Sequence, residues 1–249
     1  MLKLTNISQL VSYQSASDTV QTMSNIEILI EKETIQEIGP TVNNADEIVD
    51  CSGRLVTPGF VDPHTHPVFY KGREEEYTMR LAGASYQEIA KNGGGILSSI
   101  KDVRNASEDE LVERVKKRMT RFIKLGTTTV EAKSGYGLDT ESELKSLRVL
   151  NRVNRDHPID IIPTFLGAHA FPPEFSDDPD GYVDLLCDEM IPAVGEQGIA
   201  QYCDVFCEKG YFSVEQSRRI LETGKTYGLV PRLHADEFED SGAAELAAE

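Results

Sequence analysis

Two histidines one residue apart, His64 and His66 in VDPHTHPVF, are residues whose type and spacing suit joint chemistry. In a strand, residues i and i+2 face one side, with Cα atoms ~6.6 Å apart at a rise of ~3.3 Å per residue. Two imidazoles so placed can converge on one metal ion, at ~2.0–2.1 Å for zinc. Thr65 between them would point the other way. A catalytic metal takes about three protein ligands and keeps one position open. His234, in LHADE, would supply the third. A carboxylate is the usual fourth, and none is convincingly placed. Taken alone, an H-x-H pair is more often two ordinary histidines. Asp62, the preceding Pro58-Gly59 and the other histidines at strand-like ends weigh against that here. Further polar residues fall at matching places: Lys133 and Tyr136 in KSGYG, His169 in GAHA, and Glu237 three after His234. His157, in NRDHPID, follows a helical pattern and reads as a surface loop residue.

The elements that must position these residues can be read in outline. Residues 1–56 read as β-structure. In SNIEILIEKETIQEIGP the isoleucines 26, 28 and 30 alternate, break at Glu33-Thr34 and resume at 35 and 38. That pattern predicts a hairpin with one buried face. From residue 57 the rhythm becomes strand, loop, helix. LVTPGFVD reads as a buried strand running into the histidines, and GTTTVEAKSGYG, IDIIPTFLGAHA, YCDVFCE and LVPRLHADE as later strands. Ser107-x-x-Glu110, Thr140-x-x-Glu143 and Ser213-x-x-Gln216 read as capping boxes opening helices between them. The helix after Ser107 keeps Leu111, Val115, Met119 and Phe122 on one face. Five strand-to-helix steps in series are the mark of parallel βα units. The chemically able residues lie at several strand ends rather than at one switch point, which favours a (β/α)₈ barrel over a doubly wound sheet. Five strands do not close such a barrel, and three more units would take roughly 100 residues.

Composition bounds the partners. The chain has 249 residues, 39% hydrophobic, and a net charge of −17. That acidity argues against nucleic-acid and anionic-membrane partners, both of which need a basic face. No apolar run reaches the roughly 20 residues of a membrane span, and no signal peptide is legible. The four cysteines, Cys51, Cys187, Cys203 and Cys207, are too sparse for a disulfide scaffold and read as buried thiols of a cytoplasmic protein. Gly93-Gly94-Gly95 lacks the lysine and Ser/Thr of a phosphate loop.

TPGFVDPHTH resembles the first-strand motif of the amidohydrolase superfamily, metal hydrolases on a distorted (β/α)₈ barrel beside a small β-sandwich. NGGGILSSIKDVRNASEDEL, GTTTVEAKSGYGLDTESELKSLRVL, PTFLGAHAFPPEF and LHADEFEDSGAAELA narrow this to the imidazolonepropionase family, and KSGYG, GAHA and HADE together are far more specific than any one alone. The resemblance implies an α/β fold: a partial barrel over 57–249, with residues 1–56 as the first strands of a composite sandwich. It implies hydrolysis of the cyclic amide 4-imidazolone-5-propanoate to N-formimino-L-glutamate in histidine degradation. It implies one metal ion, zinc or iron, on His64, His66 and His234. Arg73, Tyr136 and His169 match substrate contacts, with His169 donating to the ring carbonyl. Glu237 matches the acid/base glutamate. Lys133 could suggest the carbamylated lysine bridge of two-metal relatives, but the resemblance implies a one-metal pattern, so Lys133 is expected to be structural or to support the ligands from behind. The aspartate ligand and a further histidine would lie beyond Glu249, so the chain reads as a C-terminally truncated member, expected not to turn over alone. The remaining expectations are a small-molecule substrate, no nucleic-acid or membrane partner, and a homodimer. The alternative activity is that of a guanine- or cytosine-type deaminase.

Overall fold

The structure, a computed structural model, describes residues 1–84 and 94–249; Gly93 of the glycine run lies outside the described residues. The chain divides into two compact units, Met1–Gly59 and Phe60–Glu249.

The first unit is one five-stranded sheet of β1 (Leu2–Gln14), β2 (Thr19–Glu31), β3 (Thr34–Gly39), β4 (Glu47–Asp50) and β5 (Leu55–Val56). β1 pairs antiparallel with β2, and parallel with β4 and β5. The expected hairpin is β2–β3, closed by Lys32 at φ 55°. Ile26 and Ile28 join Ile7, Leu10 and Cys51 in a small core. The second half of the expected buried face is not covered: Ile35 and Ile38 are 56% and 42% exposed. β3 is the edge of the sheet, and alternation predicts which side a residue faces, not whether anything covers it.

The second unit is built on β6 (Phe60–Thr65), β7 (Thr127–Lys133), β8 (Asp160–Ala168), β9 (Tyr202–Cys207) and β10 (Val230–Ala235). Its helices are α1 (Glu74–Leu81), α2 (Ile96–Asn105), α3 (Glu108–Lys124), α4 (Thr140–Asp156), α5 (Pro179–Leu185), α6 (Ile191–Gln197), α7 (Val214–Thr226) and α8 (Ala243–Ala248). All four strand pairs are parallel, in the order β10-β9-β8-β7-β6. Sequence neighbours are therefore space neighbours throughout. A doubly wound sheet reverses its order at a switch point; winding in one direction is how a barrel is built. The fold is α/β, a partial TIM-like barrel of five βα units.

LVTPGFVD is not one buried strand. Leu55–Val56 belongs to the first sheet, and β6 restarts at Phe60. Phe60 and Val61 are 57% and 66% exposed, because β6 is an edge strand with β7 its one partner among the described residues.

The helices pack as their patterns require. Leu111, Val115 and Met119 of α3 and Leu147, Leu150 and Val153 of α4 are fully buried in one continuous core with Val130, Phe165 and Val205. The helical run 179–197 passes from α5 to α6 through a π-turn at Leu186–Met190, next to Pro192, whose missing N–H cannot continue a regular ladder. Ser107–Glu110 and Ser213–Gln216 form reciprocal capping boxes. Thr140–Glu143 does not: Asp139 is the N-cap and accepts from Ser142 N, while Thr140 Oγ1 donates to Glu189. Glu143 is drawn inward instead, for a reason that belongs to the site. His157 is half-buried at the end of α4, where Thr120 Oγ1 and Ile159 N meet its ring, so it is less exposed than expected. All four cysteines are buried and unpaired.

Candidate metal centre

The histidine side chains meet at the C-terminal ends of the two outermost strands. His64 lies in β6 and His66 just past its end; His234 lies near the end of β10. The Nε2 atoms of His64 and His66 are 3.1 Å apart, and those of His66 and His234 3.4 Å. Thr65, between the pair, points the other way and donates to Glu131 O at 2.6 Å, fastening β6 to β7. Only alternation along a strand puts two rings on one side and their tether on the other.

The rings of His64 and His66 are held neutral. Burial, then the neighbouring histidines 169, 234 and 64, push the His66 pKa down to about 2. Burial first, then Lys133 and His234, lower that of His64. Neutral imidazole is the form that ligates a metal. His234 Nδ1 lies 3.2 Å from Asp204 Oδ1, so the ring donates there and Nε2 keeps its lone pair for the centre. Three converging imidazole nitrogens suit zinc or iron, so the donor set fits the expected ion.

Beneath the histidines lies a buried charge network that sequence reasoning missed. Lys133 Nζ is 2.7 Å from Glu131 Oε1 and 2.7 Å from Asp204 Oδ2, and all three residues are at most 3% exposed. Thr164 Oγ1 donates to Glu131. Burial alone would raise the Asp204 pKa, but the hydrogen bond from His234 and the nearby Lys133 hold it at about 2. Lys133 is thus structural, as expected. The available signal was a charged residue inside each apolar strand: Glu131 and Lys133 at i and i+2 of β7, Asp204 in YCDVFC.

The other expected residues line one cavity of about 280 Å³ with the three histidines: Arg73, Tyr136, His169 and Glu237, together with Ile96, Phe206, Tyr211 and Phe238. Arg73 caps α1 without a side-chain cap bond; its Nε is 3.9 Å from Glu76 Oε2, too long for a tight pair, so it reaches the cavity and the acidic run together. The Tyr136 and His169 rings meet at a 59° tilt with centroids 5.2 Å apart, and His169 stands 5.1 Å from the His66 ring. Both are set by the loop after β7. Glu143, fully buried, accepts from Gly135 N (2.8 Å), Gly137 N (2.8 Å) and Leu138 N (2.9 Å), winding the loop around its carboxylate. Gly135, at φ +105°, could carry no side chain: a Cβ would lie 2.7 Å from Leu166 O. Gly135 O in turn meets His169 Nδ1 at 2.8 Å.

That last bond corrects one expected role. A carbonyl oxygen only accepts, so Nδ1 carries the proton and Nε2 of the neutral ring is an acceptor. Burial holds the ring neutral, its pKa at about 4. His169 therefore does not donate to a ring carbonyl; it is set to receive an N–H.

Glu237 lies past the end of β10, in an exposed loop held from both sides. Asp236, in the left-handed region at φ 53°, accepts from Ser241, Ala243 and Ala244, and its pKa falls to about 2 on those bonds. Glu208 accepts from Phe238 N at 2.8 Å. Two fixed carboxylates thus bracket the third.

No protein-family model matches the chain. It is 52% identical over 236 residues to an imidazolonepropionase of Geobacillus kaustophilus, covering 91% of this chain and 56% of the relative. It is 55% identical over 200 residues to an imidazolonepropionase of Shouchella clausii, covering 80% and 45%. The chain thus spans about half the length of the curated relatives it matches. Among solved structures, it resembles a 5-methylcytosine deaminase of Klebsiella pneumoniae at a TM-score of 0.67, 19% identity, 99% of this chain and 55% of that one. An atrazine chlorohydrolase of Arthrobacter aurescens, complexed with zinc, matches at a TM-score of 0.56, 15% identity, 98% of this chain and 55% of that one. These two likenesses establish the fold alone. No helix among the described residues is long and apolar enough to cross a membrane.

Proposed function

Starting from the kinship of this chain with the imidazolonepropionases over the stretch it shares with them, we propose that it carries the metal-ligand and substrate half of an enzyme that opens 4-imidazolone-5-propanoate to N-formimino-L-glutamate. The observation that carries the reading is the convergence of His64, His66 and His234 in a cavity whose lining also includes Arg73, Tyr136, His169 and Glu237. The bound metal, zinc or iron, would supply Lewis-acid chemistry at the scissile carbonyl and make water a nucleophile near neutral pH. The chain's residues do the rest. Arg73 offers a planar fork to the propanoate, which it can take bidentately. His169 Nε2 accepts from a ring N–H, which orients the ring. Tyr136 donates its hydroxyl, and its ring, tilted against His169, closes one wall. Glu237 takes the proton from the attacking water and returns it to the leaving ring nitrogen. Residues 1–56 are the opening strands of a composite sandwich, and the protein works in the cytoplasm as a homodimer.

The test is to continue this chain with the C-terminal half of the Geobacillus kaustophilus relative and measure ring opening by steady-state absorbance. Turnover of imidazolone propanoate, with cytosine and guanine untouched, is expected. Deamination of cytosine or guanine without ring opening would transfer the site to the deaminase reading. Turnover by the 249 residues alone would refute the expectation that they are inactive unaided.

A further inference from the structure

β6 and β7 do not keep step where the histidines sit. Asp62 stands across from Val130 and Thr65 across from Ala132, so three steps along β6 match two along β7. Pro63 and His64 together fill the place across from Glu131, which is a β-bulge. Its effect on facing follows from the strand period of two. Residues directly across from one another face one side, and Val130 and Ala132 are buried in the helix-packed core. Glu131 and Lys133 face the other way, into the network with Asp204 and His234. Counted from Asp62 in a regular ladder, His64 would stand across from Ala132 and, with His66, face the helices. The extra residue shifts the count by one, and a shift of one moves every later side chain to the opposite face. Thr65 takes the place across from Ala132, and the histidine pair turns toward His234.

We propose that Asp62 is a positioning residue for the metal ligands: it holds the bulge that turns His64 and His66 to the His234 side of the sheet. The inference rests on the three-histidine metal reading and concerns what aims two of its ligands. A bulge leaves its extra residue outside the ladder. Here the N–H of His64 donates to Asp62 Oδ1 at 3.2 Å, and Pro63 brings no N–H that would need a partner. Thr65 Oγ1 fastens the far end to Glu131 O. The regular register competes with this arrangement. β7 is the one partner of β6 among the described residues, so no second strand pins the count. Phe60 and Val61 are exposed and add little, because register is held most firmly where a face is buried. An acceptor at position 62 therefore tips the choice toward the bulge.

Asp62→Ala removes the acceptor, whereas Asp62→Asn keeps one in its amide oxygen. Zinc affinity should fall at least ~10-fold in Asp62→Ala, the lower end of the usual cost of losing a group that orients a ligand, and should stay near that of the unmodified chain in Asp62→Asn. Deleting Pro63 from the Asp62→Ala chain takes away the extra residue. A regular ladder then brings both histidines to the His234 side by alternation alone, and zinc affinity should recover. A merely structural role predicts the reverse, a second lesion that adds to the first. The measurement is zinc competition against a chromophoric chelator at pH 7, on the 249-residue chain, with circular dichroism confirming the fold. Unchanged affinity in Asp62→Ala, an equal loss in Asp62→Asn, or no recovery in a folded deletion variant overturns the proposal. Nuclear magnetic resonance of the unmodified, zinc-free chain decides it without any variant. Ala132 should show cross-strand contacts to Thr65, and the His64 N–H should resist exchange with water. Contacts to His64 instead, or a freely exchanging His64 N–H, overturn it. If the unmodified chain binds no zinc, the metal reading itself falls and takes the proposal with it. Tight zinc binding with His64 across from Ala132 sinks the proposal alone.

Discussion

Replacing Glu143 by glutamine should cost far more than its one-atom change suggests. The side chain is fully buried, and its two oxygens accept three backbone N–H groups at 2.8, 2.8 and 2.9 Å. Burial pushes its pKa above the ordinary carboxylate value, while Ser134 and the three N–H groups pull it down. We hold that it is ionised at neutral pH, because both oxygens already accept from backbone N–H groups, which favour the charged form. Glutamine must turn its NH₂ toward at least one N–H. In the better orientation its oxygen keeps Gly137 and Leu138 and its nitrogen opposes Gly135. The loss is one charge-assisted hydrogen bond, about 1.5–3 kcal/mol, plus an orphaned buried N–H, about 1–3 kcal/mol. A total of about 3 kcal/mol lowers Tm by roughly 6–12 °C in a chain of this size. Gly135 is also the partner of His169, so the aromatic wall should loosen, while the histidine triad, held by a separate network, should not. Thermal melts by circular dichroism, paired with zinc titration, measure both. A Tm shift below ~3 °C would mean that a neutral amide replaces the side chain without loss, and the ionised assignment would be wrong. Zinc affinity falling in step with Tm would refute the independence of the two networks.

The metal-free chain should lose stability in mild acid. His66 and His169 are folded with pKa values depressed to about 2 and about 4, so their contribution is present above the ordinary histidine value of about 6.5 and drains away below it. At pH 5 each has lost about 1.5 units, or ~2 kcal/mol, and His169→Asn should remove half of the combined slope between pH 7 and 5 in urea unfolding. An unchanged slope in that variant would exclude His169 as a source. In the extended enzyme, Glu237→Gln should keep its metal while kcat falls by ~10²–10⁴, the usual range for a general base. Loss of the metal instead would make Glu237 a ligand. Arg73→Ala should raise KM for imidazolone propanoate, and an unchanged KM would remove the carboxylate clamp from Arg73.

What the sequence shows and what it hides follow different physics. The H-x-H pair is legible because strand alternation is local: two residues apart means one side, and Thr65 turned away confirms the geometry. The capping boxes at Ser107 and Ser213 are legible for the same reason. Thr140–Glu143 has the same local pattern and fails, because Glu143 is claimed by three loop N–H groups that lie before the helix, and three charge-assisted bonds outweigh one cap. Ile35 and Ile38 alternate correctly yet stay exposed, since coverage is a property of the whole sheet. Asp204 was hidden because its role exists only across strands, 30 residues from His234 and 71 from Lys133 in the chain.

The hidden residues share one arrangement. His64 and His234 sit on β6 and β10, the outer strands of the second sheet among the described residues. Ligands must be held to a few tenths of an ångström if a metal is to bind tightly. The inner strands contribute to this: β7 supplies Glu131 and Lys133, β8 supplies Thr164, and β9 supplies Asp204. Asp204 meets His234 on β10, the backbone oxygen of Glu131 receives Thr65 of β6, Lys133 holds both carboxylates, and Thr164 donates to Glu131. A buried polar network thus adds to the ladder in placing the ligands. On this view the metal histidines should be among the last groups to lose order as the sheet frays. Hydrogen exchange of the metal-free chain should show His234 N–H protected well beyond Val230 N–H on the same strand. Equal protection along β10 would show that the ladder alone, and not the buried network, holds the ligand in place.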